Sequence, residues 1–255
     1  MVTGIERWKE YFIDYKDKYV LIGGAACNLL EEEFDMNPRA TKDLDLVLVV
    51  EALTPDFGLR LWDFIKAADY GHRNKGENEF KHEYYRFTNH QDKTYPKQIE
   101  LFARTTGILN LPPDVHIEPI SVGEDLSSLS AFLMDDDYYA FTIEHSRYID
   151  DIHVANPEAL ICLKAKAYTE MLDRKAEGEQ VDSRDIEKHK KDVFRLIAML
   201  PQDSHFTLPE KLKNDIKDLY QRIGELPNTD FFKNAKLRGL NAERLLEILN
   251  TAFIR

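Results

Sequence analysis

Apolar residues at the start of the chain recur at a helical period. Ile5, Trp8, Tyr11, Phe12 and Tyr15 share one face of a helix over residues 5–15. The next apolar positions are consecutive: Tyr19, Val20, Leu21 and Ile22 run up to Gly23 and Gly24. That is the mark of a buried strand closing in a turn. A short helix over residues 25–33 and a polar stretch over 35–42 follow. Residues 44–50 return to Leu and Val, a near-continuous apolar strand of the kind that lies mid-sheet with both faces covered. The pattern predicts a helix over 57–68 and strands over 83–88 and 98–103. It predicts further strands over 115–120 and 138–143, with a polar loop over 121–137 between them.

The periodicity changes near Asn156. Asn156, Pro157 and Glu158 place an N-cap residue, a first-position proline and a first-turn acid in succession. Helices are predicted over 157–176, 183–199, 209–224 and 242–253, with a polar break over 177–182 around Gly178. The expected organisation is two domains. Residues 1–154 carry strands and helices around a mixed sheet, and residues 155–255 are all helical.

Composition narrows the function. With 43% hydrophobic and 11% aromatic residues the chain has the material for a packed core. Its formal charge of -12 repels polyanions at long range, so contact with a nucleic acid requires a local basic patch or a bound cation. Cys27 and Cys162 form no CxxC pair and read as small core residues of a protein in a reducing compartment. The N-terminus has no apolar h-region and no run reaches the length of a membrane span. The expectation is a soluble, cytoplasmic protein.

Three features carry candidate chemistry. Gly23 and Gly24 stand between a strand and a helix, where a phosphate could approach the backbone and free N–H groups; as a bare pair they also fit a tight turn. No GxxxxGK[ST] or GxGxxG pattern is present. Asp43 and Asp45, two apart in a strand, project to one face at the head of an apolar run. Two neighbouring carboxylates repel, and a divalent cation relieves that repulsion; the alternative is a solvated strand end. Glu100 lies between Ile99 and Leu101 and shares a face with Gln98 and Phe102. It sits on the solvent side of its strand, or completes a metal cluster if that strand lies beside the Asp43 strand. Asp135 to Asp137 read as a solvated loop, His72, His82 and His90 have no zinc spacing, and Tyr84-Tyr85 and Tyr138-Tyr139 read as strand residues.

In this order, Gly23-Gly24, then Arg39-Ala40-Thr41-Lys42-Asp43-Leu44-Asp45-Leu46, then Ile99-Glu100-Leu101-Phe102 resemble the DNA polymerase β-type nucleotidyltransferase superfamily. The Arg-x-Thr-Lys-Asp-Leu-Asp wording most resembles its AbiEii/AbiGii toxin-type branch. Lys164 to Ala167 and Lys191-Asp192 resemble later motifs of that branch. The sequence departs from many relatives in having Gly24-Ala25 where they place a serine. The resemblance implies an α+β nucleotidyltransferase fold, a mixed sheet flanked by helices and followed by an all-helical domain. It implies Mg2+ or Mn2+ held by Asp43, Asp45 and Glu100, which would also be the catalytic residues. Gly23, Gly24, Thr41, Lys42, Lys191 and Asp192 would contact the nucleotide, and Arg39 would brace the loop. Strand alternation points Lys42 away from Asp43, and Lys191 and Asp192 also fit a charged helix face. The implied reaction moves a nucleoside monophosphate from an NTP to an acceptor hydroxyl on tRNA, protein or a small molecule, releasing pyrophosphate. A toxin of this branch would have an antitoxin partner. The alternative is a non-catalytic member of the fold that binds a nucleotide or a partner.

Overall fold

The computed structural model describes residues 2–72, 85–88, 92–104, 135–223, 227–237 and 239–255. The chain divides into two compact units, residues 1–155 and 156–255. The strand expected over 115–120 lies outside the described residues, as do His82, His90, Tyr84 and residues 121–134 of the expected loop.

The first unit is built on one mixed sheet. Its strands are β1 (Tyr19–Ile22), β2 (Asp43–Leu48), β3 (Gly71–His72), β4 (Tyr85–Thr88), β5 (Gln98–Phe102), β6 (Ser146–Ile149) and β7 (Ile152–Ala155), in the spatial order β3-β4-β5-β2-β1-β7-β6. β2 is internal, antiparallel to β1 and parallel to β5. Register sorts the side chains into two faces. Tyr19 pairs with Leu48, Leu21 with Leu46, and Leu44 and Leu46 with Ile99 and Leu101, so these residues share one face. All are buried.

That apolar face is covered by helices α1 (Ile5–Phe12) and α3 (Pro55–Ala67), the latter introduced after α2 (Gly23–Glu33). Trp8 stacks on Phe12 with ring centroids 4.0 Å apart and meets Tyr19 and Phe64 edge-on at 5.4 and 5.3 Å. Buried aromatic area of this kind dominates core energetics. Helix α3 starts where Thr54 Oγ1 accepts the Phe57 N–H at 3.3 Å and Pro55 takes the first turn. The helix expected over 5–15 is α-helical to Phe12 and tightens to a 3-10 turn over Ile13–Tyr15.

Two readings are corrected. Residues 138–143 are not a strand: they lie in α4 (Asp136–Glu144), and Asp135 to Asp137 are its cap and first turn rather than a loop. Asp135 Oδ1 accepts the N–H groups of Asp137 and Tyr138 at 3.1 and 3.4 Å. The buried positions Tyr138, Tyr139, Phe141 and Thr142 follow a helical spacing. Tyr139 accepts the Val50 N–H at 2.8 Å and donates to Glu51 Oε2 at 2.7 Å, while Arg104 pairs with Glu51. These bonds tie α4 to the exit of β2. Tyr139's hydroxyl, foremost, holds the Glu51 carboxyl below its ordinary value.

The β6–β7 hairpin was not anticipated. Its two-residue loop is Asp150-Asp151, both with positive φ (45° and 66°), the backbone of a type I′ turn usually made with Asn-Gly. Lys16 Nζ holds Asp151 Oδ1 at 2.8 Å. Within the hairpin Ser146 Oγ gives its proton to the Ile143 carbonyl at 2.6 Å, so it accepts from His153 Nε2 at 2.8 Å. Burial lowers the His153 pKa.

The second unit consists of helices α5 (Pro157–Ala176), α6 (Ser183–Ile197), α7 (Glu210–Arg222), α8 (Thr229–Asn234) and α9 (Ala242–Phe253). Asn156 stands at the N-cap of α5, but its side chain makes no cap hydrogen bond, and Pro157 with the first-turn acid Glu158 supplies the start signal. α5 packs against α6 and α7. Between α5 and α6 a buried Lys164 Nζ meets Asp192 Oδ2 at 3.0 Å. Arg195, also buried, donates to the Ala235 carbonyl at 2.5 Å and so places a cation at the C-terminal end of α8. Among the described residues no helix is long and apolar enough to cross a membrane.

Two outcomes are expected. Removing one partner of a buried ion pair leaves an uncompensated charge, so Lys164→Met should cost about 3–5 kcal/mol in urea denaturation, and the double variant Lys164→Met/Asp192→Leu should recover much of it. For His153 the folded pKa is depressed, so below about pH 6.5 the unfolded chain takes up a proton that the folded chain refuses. Stability from this group is full above that pH and falls as the pH drops toward the folded value. The loss between pH 7.5 and 5.5 should be smaller in His153→Gln than in the parent.

Candidate functional site

The parallel register of β2 and β5 sets Asp45 beside Glu100 and Asp43 beside Gln98. Neighbouring strands lie about 4.8 Å apart, and paired residues project to the same side. All four residues therefore share one face, opposite the aromatic core. Glu100 is buried at 6% exposure and Asp43 and Asp45 are half-buried. Glu100 is paired in the backbone with Asp45 on one side and Arg86 on the other. The Gln98 amide, two residues back on the same strand, donates from Nε2 to Glu100 Oε1 at 2.9 Å.

The β1–α2 junction meets this face. Ile22 is the register partner of Asp45, and the chain turns into α2 immediately after it. The sequence suggested a glycine turn preceding a helix over 25–33. Instead, Gly23 and Gly24 form the first residues of α2 itself. Gly23 has φ +66°, and a Cβ added there would lie 1.9 Å from Asp45 Oδ2. Glycine is therefore needed both for the backbone conformation and for the seat of the Asp45 carboxylate. No side chain caps α2 at Ile22, and such a helix start favours anions.

The loop before β2 is drawn over the same helix start. Asn28 Nδ2 donates to the Arg39 carbonyl at 2.7 Å, Thr3 N–H to the Thr41 carbonyl at 3.0 Å, and Lys97 N–H to the Lys42 carbonyl at 2.7 Å. A Cβ at Gly24 would meet Thr41 Oγ1 at 3.3 Å and Arg39 Nη2 at 3.9 Å. Thr41 and Arg39 thus gather beside the first turn of α2. Lys42 is exposed, in keeping with strand alternation.

Lys191 and Asp192 belong to the helical unit. Lys191 Nζ lies 3.7 Å from Glu187, one turn back on α6, and Asp192 is engaged in the buried pair with Lys164. The geometry brings together Gly23, Gly24, Thr41, Asp43, Asp45 and Glu100, all within the first unit. It adds Gln98, which the strand pattern put on the right face but which signalled no role of its own.

Three carboxylates on one sheet face make an oxygen donor set of the kind that hard cations such as Mg2+ and Mn2+ take. They fit such an ion in chemical type and in sheet position. Among the described residues, no group of three or more His, Cys, Asp or Glu side chains is gathered as a metal-holding cluster. One Glu100 oxygen is turned to Gln98.

The two glycines should respond differently to alanine. Gly23→Ala combines a left-handed backbone with a collision against Asp45 and should cost about 1–3 kcal/mol. Gly24→Ala meets only the 3.3 Å contact with Thr41 and should stay within about 1 kcal/mol. Urea denaturation of the two variants measures the difference.

No protein-family model and no curated protein matches the chain. Among solved structures, the chain is similar to an antigenic nucleotidyltransferase-like protein from Paracoccidioides brasiliensis, with 16% identity and a TM-score of 0.45, over 91% of this chain and 92% of that one.

Proposed function

We propose that this chain is a metal-dependent nucleotidyltransferase. The observation that carries the reading is the β2–β5 register, which seats Asp45 beside Glu100 with Asp43 on the same face, next to the Gly23-Gly24 start of α2. The resemblance of these segments to the polymerase β-type superfamily supports the same reading.

Asp43, Asp45 and Glu100 would hold Mg2+ or Mn2+. Bound there, the metal supplies activation of the attacking hydroxyl and charge stabilisation on the leaving pyrophosphate. The chain's own residues do the rest. Gly23 and Gly24 keep side chains away from the helix start, so that phosphate oxygens reach backbone N–H groups. Thr41 offers a hydroxyl at the same place. The acceptor oxygen bonds to the α-phosphorus of the NTP as the bond to the bridging oxygen breaks. Glu100 would take the acceptor proton, and pyrophosphate leaves. The acceptor is a hydroxyl on tRNA, on protein or on a small molecule. In the toxin-type reading, the activity is held in check by an antitoxin partner.

The test incubates the full chain with Mn2+ or Mg2+ and α-labelled NTPs in the presence of each acceptor class. Asp45→Asn is expected to lower label transfer at least about 100-fold, as loss of one preorganised charge-stabilising group does. Equal transfer by parent and variant would defeat the catalytic reading. Calorimetric binding of Mg-NTP without turnover on any acceptor would instead favour a non-catalytic nucleotide-binding protein.

A further inference from the structure

Gln98 stands at a revealing place in the sheet. Its backbone pairs with Asp43, and its side chain reaches along β5 to Glu100. It is therefore a neutral amide at the register position of one acid, donating to a second acid, on the face that carries the third. Glu100 is buried at 6% exposure, and a hydrogen-bond donor aimed at a buried carboxylate fixes where its oxygens lie. Nothing in strand formation calls for the amide. Ile99, Leu101 and Phe102 supply the buried apolar positions of β5.

We infer that Gln98 is a positioning residue of the carboxylate site, fixing the orientation of Glu100 and thereby the affinity of the site for a divalent cation. The inference rests on the proposed site. The Gln98 amide binds one carboxylate oxygen, Oε1, and so restrains the rotation of the Glu100 side chain. Without that donor the restraint is lost, and the Glu100 side chain can turn away from Asp45. That turn removes a negative oxygen from the group that would hold the cation. Partners around ligating groups typically alter metal affinity by 10–100-fold when removed.

The experiment measures Mn2+ binding to the full chain by the electron paramagnetic resonance signal of free Mn2+, with no nucleotide present. Melting temperatures in EDTA are recorded alongside. The variants are Gln98→Met, of similar length and without a donor, and Gln98→Asn, whose amide is one methylene too short. Asp45→Asn serves as the control for the site itself. Both Gln98 variants are expected to bind Mn2+ about 10-fold more weakly than the parent, with circular dichroism unchanged. A merely structural role would move the melting temperature and leave the Mn2+ affinity alone. Affinity within twofold of the parent in either folded variant, while Asp45→Asn has lost binding, would overturn the role of Gln98 and leave the proposed function standing. A parent that binds no Mn2+, or binds it no better than Asp45→Asn, would overturn the site and the inference together.

Discussion

The parallel pairing of β2 with β5, which brings carboxylates together on one sheet face, is the constraint on which the first unit depends. Asp45 and Glu100 are fixed side by side by parallel pairing, and Asp43 follows two residues away. Glu100 has an oppositely charged register partner in Arg86 of β4, whereas on the β2 side it faces a second acid, Asp45. Here the opposite face does the stabilising. Tyr19, Leu21, Leu44, Leu46, Ile99 and Leu101 line it, and the ring cluster of Trp8, Phe12 and Phe64 covers it. β2 and β5 thus separate two tasks by parity: odd positions of β2 up to Asp45 carry charge, and even positions carry the core.

The backbone around the acids is correspondingly specialised. Gly23 leaves room for the Asp45 carboxylate, and the loop before β2 is fastened at Arg39, Thr41 and Lys42 through backbone carbonyls. Those fastenings use Asn28, Thr3 and Lys97, from three different segments of the chain. The hydroxyl of Thr41 is thereby left at a defined place beside α2. In the helical unit, three buried charges are paired or set against a carbonyl: Lys164 with Asp192, and Arg195 with the carbonyl of Ala235.

Much of this was legible from spacing. The run Tyr19–Ile22, the strand beginning at Asp43, the strand from Gln98, and the helices Pro157–Ala176 and Ala242–Phe253 follow from periodicity and start signals. The elements that escaped did so for identifiable reasons. Residues 138–143 are a short run rich in aromatic and aliphatic residues whose length suits either a strand or a helix, and the deciding feature is the cap made by Asp135. The β6–β7 hairpin closes on Asp-Asp, which lacks the glycine that advertises a type I′ turn. For the site, two-residue periodicity put Asp43 with Asp45 and Gln98 with Glu100. Which two strands would be neighbours is a long-range fact that no local pattern contains. The Gln98–Glu100 bond depends on side-chain rotamers and is likewise beyond local pattern.

The parallel pairing of β2 with β5 has a kinetic corollary. The connection between them must traverse α3 and β4 before the strands can meet, and contacts so distant along the chain form only after loop closure has been met. In the unfolded chain Glu100 lies far along the sequence from Asp43 and Asp45, and the three acids meet only when the sheet closes. Any cation recruited by all three would therefore recognise the completed sheet and not its precursors. By mass action, that ligand would draw the ensemble toward the closed sheet.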